Sequence, residues 1–161
     1  MQRRNLRFSA LTDVKADLLN LHTNRYTKTG KWDLSQVSEH VSDWMSFPMD
    51  GFPKMPLIVK LLIGTMRVTR GRALYEKFAE HQRMRIGQPT MPQTLHLPNT
   101  ALVGELQSIN RFINLIDRLA DFRGPLHPSP LFGALTYEEL VALQLTHSAH
   151  HLSFLVPLER Q

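Results

Sequence analysis

The chain has 161 residues, of which 42% are hydrophobic and 20% charged, so it fits one globular domain spanning residues 1–161 and is not a disordered protein. Its 19 lysines and arginines exceed 14 acids, giving a net charge of +5, but no basic stretch is interleaved with aromatic residues, so we expect no nucleic-acid partner. The absence of cysteine excludes disulfides, thiolate metal ligands and cysteine nucleophiles.

The first third of the chain predicts two helices. Apolar residues recur at helical spacing over residues 12–21, and the pattern breaks around Gly30. A second helix is predicted to start after Asp33, a candidate N-cap, and to end before Pro48. Its inward positions step by three or four residues: Leu34, Val37, Val41, Trp44 and Met45.

Prolines and glycines interrupt residues 47–98 and predict a long, irregular connection, with short helices near residues 57–68 and 72–80. Its most apolar run, residues 55–64, is too short to span a bilayer and contains Lys60. The N-terminus lacks the uninterrupted apolar region of a signal peptide. We therefore expect a cytoplasmic protein without a membrane partner.

The C-terminal part predicts two more helices. Apolar residues recur at helical steps over residues 99–121 and predict a third helix that stops near Gly124 and Pro125. The stretch from Thr136 to Glu139 is a capping-box pattern that opens the last helix. No segment alternates long enough to predict a strand. The four helical segments predict an all-α protein, a four-helix bundle with a long irregular connection between helices two and three.

Three of the eight histidines lie close together in the last helix, in the stretch QLTHSAHHLSF. His147 and His151 are one helical turn apart, so their rings leave the same face and could bind one metal ion. A third histidine, His40, lies on the inward stripe of helix two. Three imidazoles with an open coordination position are typical of a catalytic zinc or nickel site. A cluster of hydrogen-bonded core histidines is the alternative.

Three motifs resemble the DinB-like superfamily of four-helix-bundle metalloproteins, and most closely a branch described only as a domain of unknown function. The first motif consists of Trp32, Gln36 and His40. The second is the loop LFGALT before the last helix, in slightly altered form. The third is the terminal HSAHH. The resemblance covers nearly the whole chain. It implies that His40, His147 and His151 bind a divalent metal.

The resemblance also implies a class of reaction. Superfamily members of known activity include S-transferases and isomerases that use a small thiol, which implies a metal-dependent thiol S-transferase acting on small electrophiles. Zinc or nickel and a low-molecular-weight thiol would be its cofactors, and a small molecule its substrate. A non-catalytic metal-binding or stress-associated protein and a metal-dependent hydrolase remain alternatives, and a homodimer remains open.

Several neighbours of the triad have two interpretations. Gln36 and Gln144 precede a triad histidine by about one turn and could support it, contact substrate or lie on the surface. Glu39 and Asp43 flank His40 as candidate bases or as solvent-facing charges.

His150 points about 100° away from His151, which favours an exposed position. Relatives often carry arginine or glutamine after the double histidine, where this chain has Leu152, Ser153 and Phe154. The remaining histidines are expected at the polar surface: His22, His81, His96 and His127. Two basic residues, Arg83 and Arg85, could guide an acidic thiol to the site.

Overall fold

Helices dominate the structure, a computed structural model that describes residues 2–81, 84–99 and 101–158. The elements follow in this order: α1 (Leu11–Asn24), β1 (Tyr26–Lys28), α2 (Leu34–Asp50), α3 (Leu57–His81), a 3-10 helix (Pro92–Thr94), α4 (Leu102–Asp121), α5 (Tyr137–Leu152) and β2 (Leu155–Pro157). The predicted all-α class is confirmed.

Four of the helices enclose the core. α2 packs against α4 and α5, and α1 packs against the same two helices, so each member of the bundle has two neighbours within it. Apolar side chains from all four meet in one cluster and are almost completely buried: Val14, Leu18, Leu21, Val41, Met45, Ile109, Phe112, Ile116, Leu119, Leu140 and Leu152. This core fixes α2 and α5 side by side, and these two helices carry the three candidate ligands.

The two helices of the candidate site begin at the residues that the sequence indicates. The Asp33 side chain accepts a hydrogen bond from the Gln36 backbone N–H at 2.8 Å, and the Gln36 side-chain oxygen accepts one from the Asp33 N–H. Thr136 and Glu139 form the same reciprocal pair at the start of α5. These contacts satisfy backbone donors that a helix start leaves free.

α2 continues past Pro48 to Asp50, so the prediction that it ends before the proline is wrong. Proline has no N–H to donate to the carbonyl four residues earlier, here that of Trp44. The Gln144 side chain of α5 donates to that carbonyl oxygen instead, at 3.1 Å. The helix ends at Gly51, whose φ of 105° is strained for other residues.

The connection between α2 and α4 contains one continuous helix, α3, where two short helices were predicted. Gly64 and Gly71 lie inside it, and a glycine costs a helix only about 1 kcal/mol relative to alanine. At Gly71 a Cβ atom would lie 2.9 Å from the Leu131 carbonyl oxygen, so glycine permits this close approach. No helix in the described part of the chain combines the length and apolar character needed to cross a membrane.

Two short strands contradict the expectation of no strand. β1 and β2 pair antiparallel, with Thr27 opposite Val156. Each has three residues, too few for an alternating pattern to be visible in the sequence. The pairing continues in the hydrogen bond from the Thr29 N–H to the Phe154 carbonyl oxygen, 2.8 Å long, and it joins the end of α5 to the loop before α2.

Candidate metal centre

The three predicted histidines meet between α2 and α5. Their ring centroids are 5.2 Å apart for His40 and His147, 4.5 Å for His40 and His151, and 4.7 Å for His147 and His151. One ring nitrogen of each lies within 4.8 Å of the others. Zinc-to-nitrogen bonds of about 2.0–2.1 Å at tetrahedral angles place two ligand nitrogens about 3.3–3.4 Å apart. Side-chain rotation toward a common point would bring the three rings to this spacing, and three imidazole nitrogens are a donor set that fits a divalent ion.

Both tryptophans of the chain border these rings. Trp32 stacks on His151, with centroids 5.2 Å apart and an angle of 11° between the planes, and lies 4.8 Å from His40. Trp44 meets His147 edge to face at 6.0 Å. His40 is 3% exposed and His147 8%, whereas His151 is half-buried. The two tryptophans therefore help to shield His40 and His147 from water, and the site is accessible to solvent at His151.

The hydrogen bond of His40 fixes which of its nitrogens can bind a metal. Its Nδ1 lies 3.0 Å from the Thr94 carbonyl oxygen, in the 3-10 helix. A carbonyl can only accept, so Nδ1 carries the proton and Nε2 keeps its lone pair. Metal-ligating histidines commonly donate their second ring N–H to such an acceptor. No pattern in the sequence indicates this role of Thr94.

Burial keeps all three imidazoles uncharged. It is the main cause that lowers the pKa of His40, and it lowers the pKa values of His147 and His151 well below the ordinary histidine value. The neighbouring rings add to this effect, since each charged imidazole would disfavour a second: His40 acts on His147, and His147 on His151. Neutral histidine is the form that binds a metal.

A polar network holds the Thr94 segment against α2. Asp43 Oδ2 lies 2.7 Å from His96 Nε2, and Gln36 Nε2 donates to the His96 carbonyl oxygen at 2.8 Å. Arg111 of α4 binds both Asp43, at 2.7 Å, and Glu39. Glu39 and Asp43 are therefore neither solvent-facing charges nor free bases, and Gln36 supports the segment that orients His40. His96 has a structural contact that sequence reasoning missed.

Gln144 offers an unused acceptor beside the triad. Its amide nitrogen binds the Trp44 carbonyl, which fixes the orientation of the amide, and its Oε1 is buried without a hydrogen-bond partner in the described part of the chain. Such an atom costs free energy unless something donates to it. It lies one turn before His147, where a ligand or a water could supply the missing donor.

His150 and the N-terminal segment close the C-terminal end of the site. The Arg3 guanidinium binds the His150 carbonyl oxygen at 3.1 Å and His150 Nδ1 at 3.3 Å, and it lies over the Phe154 ring. Burial and Arg3 lower the pKa of His150 to about 4. His150 is thus half-buried rather than exposed, and Arg3 brings a positive charge close to His151. Neither contact has a signal in the sequence.

Among the described residues, the other predicted contributors make no contact with the triad rings. His22 binds Glu105 at 2.9 Å, His127 is exposed, and Arg85 is exposed. Arg83 and the side chain of His81 lie outside the described residues.

Replacing Asp43 with alanine is expected to weaken metal binding about tenfold. The change removes the acceptor of His96 and one partner of Arg111, so the segment with the Thr94 carbonyl loses its anchor and His40 its fixed orientation. Competition titration with a chromophoric chelator measures the affinity. Asp50→Ala is the matched control, because Asp50 lies on the same helix but forms an exposed pair with Arg118. Equal affinities of the two variants would contradict the positioning role.

The metal-free protein is expected to lose stability as the pH falls from about 7 to about 5. The triad pKa values are lower in the folded than in the unfolded chain, so the unfolded chain takes up protons first and is favoured. Denaturant titrations at each pH measure the free energy of unfolding. His147→Gln should flatten this dependence, whereas His127→Gln, at an exposed position, should not. An unchanged slope in His147→Gln would contradict the assignment.

The chain belongs to the family described as "Protein of unknown function (DUF1569)", whose profile matches residues 1–158. This agrees with the branch of unknown function that the motifs indicate. No curated protein and no solved structure matches the chain.

Proposed function

We propose that this member of a family of unknown function binds one divalent metal, zinc or nickel, through His40, His147 and His151, and catalyses thiol S-transfer to small electrophiles. The observation that carries the proposal is the convergence of three uncharged imidazoles from two helices, two of them buried and that of His151 half-buried, with ring nitrogens within 4.8 Å. The four-helix bundle and the position of the triad support placing the chain in the DinB-like superfamily.

The side chains around the triad suit a thiol substrate. A bound dication supplies the positive charge that lowers the pKa of a thiol and favours its thiolate. Trp32 and Trp44 exclude water from the buried side of the site, which strengthens electrostatic attraction there. Arg3 adds a positive charge near His151, the half-buried end, and so favours an anionic substrate. In the reaction, sulfur bonds to the electrophilic carbon while the leaving group departs with the bonding electron pair.

One observation favours the non-catalytic alternative. Glu39 and Asp43 are engaged by Arg111 and His96, so the described residues offer no free carboxylate beside His40. The missing base weighs more against a hydrolase, which must deprotonate water, than against a transferase whose thiol is already ionised.

A panel of low-molecular-weight thiols with electrophilic acceptors tests the transferase. Metal-loaded protein should turn over at least one pair, and His151→Ala should not. Cobalt-loaded protein gives a second readout, since a thiol that binds there should produce sulfur-to-cobalt absorption. Equal rates for the two proteins, or metal binding without turnover of any thiol, would favour the non-catalytic role. Acceptor consumed without thiol would indicate a hydrolase.

A further inference from the structure

The first half of α3 presents an apolar surface to solvent. Five of its side chains are between 67% and 80% exposed: Leu57, Ile58, Leu61, Leu62 and Val68. At about 100° per residue, all five lie within an arc of about 140° on one side of the helix. Thr65 and Thr69 fall within the same arc. A contiguous face of this kind marks an interaction surface more often than scattered exposed residues do.

In the described part of the chain, the contacts that anchor α3 to the rest of the protein lie in its second half. Gly71 lies against the loop before α5, the Tyr75 hydroxyl donates to the Glu139 carbonyl oxygen at 3.3 Å, and Phe132 packs against both Tyr75 and Phe78. Among the described residues, α3 is not one of the closely packed helices of the bundle. Its first half therefore projects as a convex rod with its leucines outward.

The charges on this segment have one sign. Residues 51–75 contain five basic residues and no acidic residue. Lys60, Arg67 and Arg70 are exposed and lie about 220–300° around α3, on the side opposite the middle of the apolar arc. An apolar face opposite a cationic face is the pattern of helices that lie in the plane of a membrane surface.

We propose that the first half of α3 docks on an anionic lipid surface, with its leucines in the boundary between headgroups and acyl chains and with the long side chains of its cations reaching from the opposite face to the lipid phosphates. The expectation of no membrane partner rested on the length of the apolar run. That length excludes a helix that crosses the bilayer, but not one that lies on it. The docking does not depend on the metal.

Charge and shape favour lipid over the other occupants. A second copy paired through this face would bring together two segments of like charge, since residues 51–75 contain five basic residues and no acidic residue, and only Arg72 among the five has an acidic partner in the described part of the chain. An acidic protein would need a groove to enclose a convex helix. A lipid surface needs no matching groove, because acyl chains rearrange around the inserted side chains, and its negative charge attracts the cations.

Sedimentation with vesicles tests the proposal. Metal-free and metal-loaded protein should both bind vesicles of equal parts phosphatidylglycerol and phosphatidylcholine, and bind pure phosphatidylcholine about tenfold or more weakly. The double variant Leu61→Glu/Leu62→Glu should reduce binding to the anionic vesicles by about tenfold or more, since it places charges in the apolar boundary. Leu19→Glu, at an exposed leucine of α1, should bind as the wild type does.

A charge variant separates the two parts of the surface. Lys60→Gln/Arg67→Gln/Arg70→Gln should remove the preference for anionic vesicles. The proposal is overturned if the wild type binds neither kind of vesicle, binds both equally, or binds as well after the leucine substitutions. Light scattering measures the oligomeric state. If the wild type is a dimer that does not bind vesicles, and the leucine variant is a monomer, the apolar face of α3 is an interface with a second copy and not with lipid.

Discussion

His151→Ala is expected to lower the affinity for zinc or nickel by about 100-fold or more while leaving the fold intact. Two imidazoles would remain, one fewer than the three protein ligands that an open metal site requires. His151 is only half-buried, so its truncation opens no large cavity in the core. Chelator competition gives the affinity, and circular dichroism checks the fold.

The neighbouring histidine supplies the matched control for this experiment. His150 lies on the same helix and its ring contacts that of His151, with centroids 4.9 Å apart, but Arg3 binds its Nδ1, and it is not one of the three histidines whose nitrogens converge. His150→Ala should therefore retain the wild-type affinity within a few-fold. If His150→Ala loses the metal and His151→Ala keeps it, the ligand assignment is wrong.

Phe112→Ala is expected to lower the free energy of unfolding by about 3–5 kcal/mol. Phe112 is fully buried in the core cluster on α4, and the change removes its apolar contacts and leaves a cavity. α4 packs on α2, so the same variant should also weaken metal binding by loosening the helix that carries His40. Urea or guanidinium titration of the metal-free protein measures the stability.

Leu106→Ala provides the control on the same helix, because Leu106 is 40% exposed and its truncation should cost less than about 1 kcal/mol. A similar loss in both variants would show that α4 does not pack on the bundle through the face that carries Phe112.

The bundle could be predicted because its helices carry strong local patterns. Leu102–Asp121 has apolar residues at regular helical steps, and the caps at Asp33 and Thr136 have a direct chemical signature. The triad could be predicted for the same reason: His40 shares the inward stripe of α2, and His147 and His151 share one face of α5. Facing positions on neighbouring helices are a consequence of periodicity.

The remaining features depend on contacts between distant residues. α2 passes Pro48 because Gln144, nearly a hundred positions later, supplies a donor to the Trp44 carbonyl. α3 passes through Gly71, and the close approach of the loop at Leu131 explains why a glycine stands there. Arg3 and His150, and Thr94 and His40, likewise meet only through the tertiary fold. A local pattern indicates that these residues are polar or helix-breaking, but it does not identify their partners.

X-ray absorption at the edge of the bound metal tests the central claim most directly. Protein without a histidine tag, loaded with one equivalent of zinc or nickel, should show three imidazole nitrogens at about 2.0–2.1 Å and at least one further light atom in the open position. His151→Ala should lose one imidazole from that shell or fail to retain the ion. A shell with one imidazole, or one unchanged in His151→Ala, would contradict the assignment of His40, His147 and His151 as the metal ligands.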